Sequence, residues 1–167
     1  MNRSRSRGSL IVTGALALPV LVSFGCSASA SDEMSAAASQ FISVLSADQR
    51  TRALFAFEDA ERQRWHFIPP EMFPRYGVSI KEMSSDQRES AHDLIKAALS
   101  EDGYMTTVQI MELEDVLKAI EGGARFARDS EEYVLSIFGM PSSDTNWGWR
   151  FEGHHISLHF TSVAGSV

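Results

Sequence analysis

The sequence predicts an α+β domain in which helices come first and strands last. Three observations carry this. Apolar residues recur at three- and four-residue spacing up to about residue 121. Gly122-Gly123 then stops that pattern, at the position where glycine ends helices. Beyond it the period turns extended, with Tyr133 to Phe138 (YVLSIF) rich in β-branched and aromatic residues. Runs of helix followed by runs of strand read as α+β.

The first 30 residues stand outside this domain. Arg3, Arg5 and Arg7 form a basic start, Leu10 to Phe24 is an apolar run of 15 residues, and GCSASAS follows. This is the layout of a secretory signal peptide, and the run is short for a membrane span. Ala28-Ser29-Ala30 offers a cleavage site, which would leave Ser31 first and residues 31–33 as a short linker before a domain over 34–167. The alternative is lipid anchoring through Cys26, which follows Gly25, although Ser23 and Phe24 fit a lipoprotein signal poorly. Cys26 is the only cysteine, so an intramolecular disulfide is excluded. Both readings place the protein outside the cytoplasm, in the periplasm or at the cell surface.

Removing the three arginines takes the net charge from −7 to −10. The acidic residues are dispersed and no basic cluster exists, which disfavours nucleic acid as a partner. After residue 30 no apolar run reaches 18 residues, so no transmembrane span is expected.

Within the domain, Met34, Ala37, Ala38, Phe41, Val44 and Leu45 mark one face of a first helix. Ser46-Ala47-Asp48-Gln49 reads as a capping box opening a second helix, with Ala53, Leu54 and Phe57 inward. Ser84-Ser85-Asp86-Gln87 repeats the device for a third helix bearing Ala91, Leu94, Ile95, Ala98 and Leu99. LSADQR and MSSDQR thus share a capping solution, which needs no gene duplication. Between them RWHFIPPEMFPRYGV is irregular, with three prolines and four aromatics, and is expected to pack down onto the domain. Gly103 reads as a break. A fourth helix from about Met105 to Glu121 is expected to bury Val108, Met111, Leu113, Val116, Leu117 and Ile120. GMPSSDTN is turn chemistry, and a second strand runs from Trp147 to about Val163.

Trp147 to Phe160 (WGWRFEGHHISLHF) concentrates the candidate chemistry. Its apolar parity switches between Phe151 and Ile156, which a β-bulge at Gly153-His154 would explain. Arg150, Glu152, His155, Ser157 and His159 then form the opposite face. His155 and His159 would lie about 13 Å apart at roughly 3.3 Å per residue, too far for one ion with bonds near 2 Å. His154 and His155 remain candidate ligands of a divalent metal, with Glu152, His66, Asp144 or residues beyond the end of this sequence completing the set. Alternatively, His154, His155, Glu152 and Arg150 form an acid–base site in which Glu152 fixes a histidine tautomer, or Arg150 and Glu152 are a cross-strand ion pair on a solvated face. Trp65, Trp147 and Trp149 could instead stack on a small or saccharide ligand, against the reading that they are core. His66 and His92 read as a loop and a helix-surface residue. The pairs Glu112/Glu114 and Glu131/Glu132 read as exposed faces. The motifs of common nucleophilic, phosphate-binding, dinucleotide-binding and zinc-protease sites are missing.

FISVLSADQRTRALFAFEDAERQRWHFIP, SSDQRESAHDLIKAALSEDGY, IMELEDVL and EYVLSIFGMPSSDTNWGWRFEGHHISLHFT resemble domain-of-unknown-function family 3500, over nearly all of the chain after the signal. That resemblance supplies no assigned catalytic residues. It implies export, an asparagine preference at position 159, and a length about twice this one, with a second histidine-bearing strand. On that basis the chain corresponds to the N-terminal half. The function expected is therefore uncharacterised, with a lean to a hydrolase-type or metal-dependent site on the histidine strand. The alternatives are an extracytoplasmic binding module and a truncated structural fragment.

Overall fold

The computed structural model describes residues 29–122 and 126–167. Most of the expected signal peptide, Cys26 and Gly123 lie outside the described residues. The α+β expectation holds. Among the described residues there are four α-helices: α1 (Ala30–Val44), α2 (Ala47–Ala53), α3 (Ser85–Ala98) and α4 (Glu101–Glu121). A mixed sheet contains β1 (Leu54–Phe55), β2 (Val78–Ser79), β3 (Val134–Phe138), β4 (Trp147–Gly153) and β5 (Ile156–Ser162). The sheet order is β1-β3-β4-β5, with β2 also paired to β3.

Helix α1 starts earlier than the sequence suggests. Ser29 caps it and forms a capping box with Asp32, so residues 31–33 are its first turn and not a linker. It buries Met34, Ala38 and Phe41 and packs on α3. The two capping boxes of the short repeat are both present. Each glutamine caps its own helix, and the two amides also bond each other: Gln49 Nε2 donates to Gln87 Oε1 at 3.1 Å and Gln87 Nε2 to Gln49 Oε1 at 2.8 Å. The repeated hexapeptide thus becomes a contact between two helix starts.

Helix α2 stops at Ala53, four residues short of Phe57. Leu54 and Phe55 leave it to pair in parallel with Ile137 and Phe138 of β3. Ladder bonds and the Phe55–Phe138 ring stack at 5.3 Å outweigh helix continuation there. Gly103 does not break the chain. It sits in the first turn of α4, where Ser100 caps it. Gly122 ends α4 in the left-handed conformation, at φ 63°. The stripe expected inward on α4 is corrected in part: Met111 is buried as expected, but Leu113, Val116 and Ile120 are exposed, and Thr107 and Glu114 are buried instead.

The WGWRFEGHHISLHF stretch is not one bulged strand. Strands β4 and β5 form an antiparallel hairpin in which Gly153 pairs with Ile156, leaving His154-His155 as a two-residue turn. The turn reverses the chain, and this accounts for the parity switch. Directly paired residues share a face. Trp149 stacks on Phe160 at 4.9 Å, and Phe151 faces Leu158. Trp147, Trp149 and Phe151 face the α1–α3 layer and are buried with it in one core. Each such side chain contributes roughly 1.5–3 kcal/mol by burial, and tryptophan more.

The other face, with Ser136, Arg150, Glu152, Ser157 and His159, is not solvated. The irregular segment 56–77 covers it. Arg150, fully buried, donates from Nη1 to Glu61 O at 2.7 Å and Arg64 O at 2.6 Å, and from Nη2 to Glu61 Oε1 at 2.7 Å. Its Nε lies 2.9 Å from Glu152 Oε1. Burying charge is costly unless paired and bonded. This guanidinium has both, and it nails the loop to the sheet.

Candidate functional site

The site begins with a strained turn. His155 has φ 63°, in the left-handed region that disfavours a side chain. Two-residue hairpins usually place positive φ at the first central residue, whereas here only the second has it. Three bonds to two other segments, the 56–77 loop and the start of the β3 region, hold the turn. Arg75 Nη2 donates to Gly153 O at 3.0 Å, Tyr133 Oη to His154 O at 2.8 Å, and His155 N to Phe67 O at 2.8 Å. Gly153 is required because the Tyr133 ring lies flat on it; a Cβ there would sit 2.3 Å from a ring carbon. Strain that the surroundings enforce marks a place where function is sought.

The turn has a chemical consequence. Consecutive residues of a strand point to opposite faces. The left-handed step brings both histidine rings to one side, with centroids 3.9 Å apart. Helix α4 supplies the third member. Glu114 is 2% exposed, and its Oε1 lies 2.8 Å from His154 Nδ1. One ligand atom from each of Glu114, His154 and His155 lies within 4.8 Å of the others. Ligand atoms on one ion are separated by about 3–4 Å for bonds near 2 Å, so closure by about an ångström completes a two-histidine, one-carboxylate set. That donor set suits zinc or another divalent transition ion.

Arg128 completes the surroundings. Its Nη1 lies 2.8 Å from His154 Nδ1 and donates to Glu114 Oε2 at 3.4 Å. Its Nε and Nη2 donate to Glu121 at 2.9 and 3.0 Å. Burial holds His154 below the ordinary histidine range, with His155 and Arg128 acting the same way against Glu114. The ring is therefore neutral at neutral pH and offers a lone pair. Arg128 and Glu71 also line an adjoining cleft of about 410 Å³, with Lys81, Lys118, Phe126 and Asp129.

The structure brings His154 and His155 together but separates them from the other expected residues. Arg150 and Glu152 are buried beneath the loop. Glu152 Oε2 accepts from His66 N at 3.0 Å, and burial raises its carboxyl above the usual range. Neither can reach a substrate, so the pair is a fastening of the loop, not an acid–base couple. Trp147 and Trp149 are 0% exposed and offer no face to a ligand; Trp65 alone is half exposed. The three-tryptophan platform has no surface in this fold. His66 is held by its own loop, its Nδ1 accepting from Phe67 N and Ile68 N. Asp144 lies on the exposed β3–β4 turn. His159 packs near Phe138, opposite Arg150, away from the turn. His92 bonds Tyr104 Oη at 3.1 Å.

Glu114, Arg128 and Tyr133 were missed as site residues. Glu114 had a readable signal: it follows Thr107 and Met111 at helical spacing on the one buried stripe of α4. Arg128 and Tyr133 had none.

The family model described as "Protein of unknown function (DUF3500)" matches residues 27–167. No curated protein and no solved structure matches the chain.

Proposed function

The chain belongs to the DUF3500 family, and we propose that it is an exported, metal-dependent enzyme of the hydrolase type. Glu114, His154 and His155 hold a divalent ion. Three protein ligands leave positions open for water and substrate, the pattern of catalytic rather than structural sites. A bound divalent ion lowers the pKa of its water to about 7 in such sites, which supplies a nucleophile. The adjoining cleft gives a substrate access. The observation that carries the reading is the convergence of the three ligand atoms within 4.8 Å at an enforced backbone distortion. Export rests on Arg3, Arg5, Arg7 and the apolar run that follows. No helix of the described residues is long and apolar enough to cross a membrane.

Titration of the purified protein with Zn²⁺ in a calorimeter tests the site. One ion per chain is expected for the unaltered protein, with binding lost in Glu114→Ala and His154→Ala variants that keep their circular dichroism. Absence of binding by the unaltered protein, or binding unchanged in both variants, sinks the metal reading. Hydrolysis of ester, phosphoester or amide probes that persists undiminished after chelation would sink the metal-dependent enzyme.

A further inference from the structure

We propose that Arg128 is a resident counter-cation of the Glu114–His154–His155 site. It gives way to the metal ion and then serves as the anchor for an oxyanion of the substrate, a carboxylate or a phosphate. This deepens the metal reading above and rests on it.

The argument starts from His154 Nδ1. That nitrogen lies 2.8 Å from a carboxylate oxygen of Glu114 and 2.8 Å from Nη1 of Arg128. An imidazole nitrogen either carries a proton or offers a lone pair. With the proton it satisfies Glu114 and faces an arginine donor. Without it, it satisfies Arg128 and faces a carboxylate. One of the two contacts is mismatched in either state.

A guanidinium in this position does what a metal ion would do. It sets positive charge against Glu114 and takes the lone pair of a neutral histidine. The two cations compete, because Nη1 lies against both ligands, 2.8 Å from His154 Nδ1 and 3.4 Å from Glu114 Oε2, where an ion bound by both would also sit. A guanidinium and a divalent ion within a few ångströms also repel strongly in a buried setting.

Arg128 has somewhere to go. Its Nε and Nη2 are already tethered to Glu121, so rotation of the guanidinium about that tether removes Nη1 from the ligands without freeing the side chain. It stays at the wall of the 410 Å³ cleft that it lines with Lys81 and Lys118. Nη1 then faces the cleft beside the ion, with no acceptor of its own. A planar, fixed donor next to a metal is suited to an oxyanion.

The test uses Co²⁺, whose visible bands report ligation directly, with the full-length protein and Arg128→Gln, which keeps a donor but removes the charge. Removing the competitor is expected to tighten Co²⁺ binding by about tenfold or more, given a like charge at a few ångströms. If the unaltered protein binds Co²⁺ and Arg128→Gln binds it equally or more weakly, the counter-cation role is overturned while the metal site stands. If neither binds, the metal reading itself falls, and this proposal with it. The cobalt-loaded proteins are then titrated with acetate and with sulfate. Perturbation of the bands by one of these in the unaltered protein, weakened about tenfold or more in Arg128→Gln, supports the anchor; acetate points to carboxylates and sulfate to tetrahedral oxyanions. Equal responses in the two proteins, or none in either, overturn the anchor. Arg128→Lys, with matched circular dichroism, separates charge from folding: it retains the competing charge, so its Co²⁺ affinity should stay near that of the unaltered protein.

Discussion

His155 is a residue whose backbone and side chain want different things. A non-glycine residue in the left-handed region costs about 1–2 kcal/mol, and histidine tolerates it only somewhat better than most. Bonds with Arg75, Tyr133 and Phe67 keep it there, and the distortion places its ring beside that of His154. His155→Gly is therefore expected to stabilise the fold by about 1 kcal/mol while abolishing metal binding. Urea unfolding read together with Zn²⁺ titration checks both signs. A glycine variant less stable than the parent would refute the strain account. At this scale the sequence singles out His154 and His155 but gives them the wrong backbone, a bulge where the chain makes a turn. Parity located the offset between Phe151 and Ile156, but a bulge and a turn both produce it. The hydrogen bonds that Arg75 and Tyr133 donate and the one that Phe67 O accepts decide between them, and the most distant of these, Phe67, lies about 90 residues away.

Helix α1 bears on how the chain is processed. Its N-cap is Ser29, with Asp32 closing the box and Ser31 buried against Ser162. Cleavage after Ala30 would delete that cap, at a cost of about 1 kcal/mol, and leave a charged amine at a helix start, where the dipole disfavours it. Processing at Cys26 keeps the cap. We therefore expect the mature chain to begin upstream of Ser29. Intact-mass measurement of protein recovered from the envelope decides this, and a mass starting at Ser31 would refute it. The elements themselves were legible where local chemistry sets them. The capping boxes at Ser46 and Ser84 and the glycine stop at 122 rest on bonds within a few residues. The end of α2 was not legible, because Leu54 and Phe55 are taken by β3, far along the chain. The α4 stripe shows the converse. Its periodicity is helical, but only packing decides which side is buried: Met111 faces inward as expected, with Thr107 and Glu114 in place of Leu113, Val116 and Ile120.

Over the whole molecule, burial of histidines sets the pH response. His92, His154 and His159 are each held below the ordinary histidine value, first of all by burial. A group with a lowered folded pKa contributes stability above its unfolded value and loses it as pH falls. The ion-free protein should therefore melt at a constant temperature above about pH 6.5 and at falling temperatures below it, before most carboxylates titrate. Glu152 acts in the opposite sense. Its raised carboxyl adds stability when protonated, below 4.5, and loses it as pH rises. A melting temperature that stays flat between pH 7.5 and about 5 would contradict the histidine account.

The order of helices before strands, the capping of α2 and α3, the β3–β4 hairpin and the clustering of histidines at His154-His155 all follow from the sequence by itself. Each rests on periodicity or on bonds spanning a few residues, which a linear reading can follow. Tertiary structure alone decided that Arg150 and Glu152 fasten a loop, that both hairpin tryptophans are core, and that Glu114 and Arg128 meet His154. Those outcomes depend on which distant segment covers each face of the β4–β5 hairpin. Periodicity can assign a residue to a face, but only the packed chain determines what that face meets.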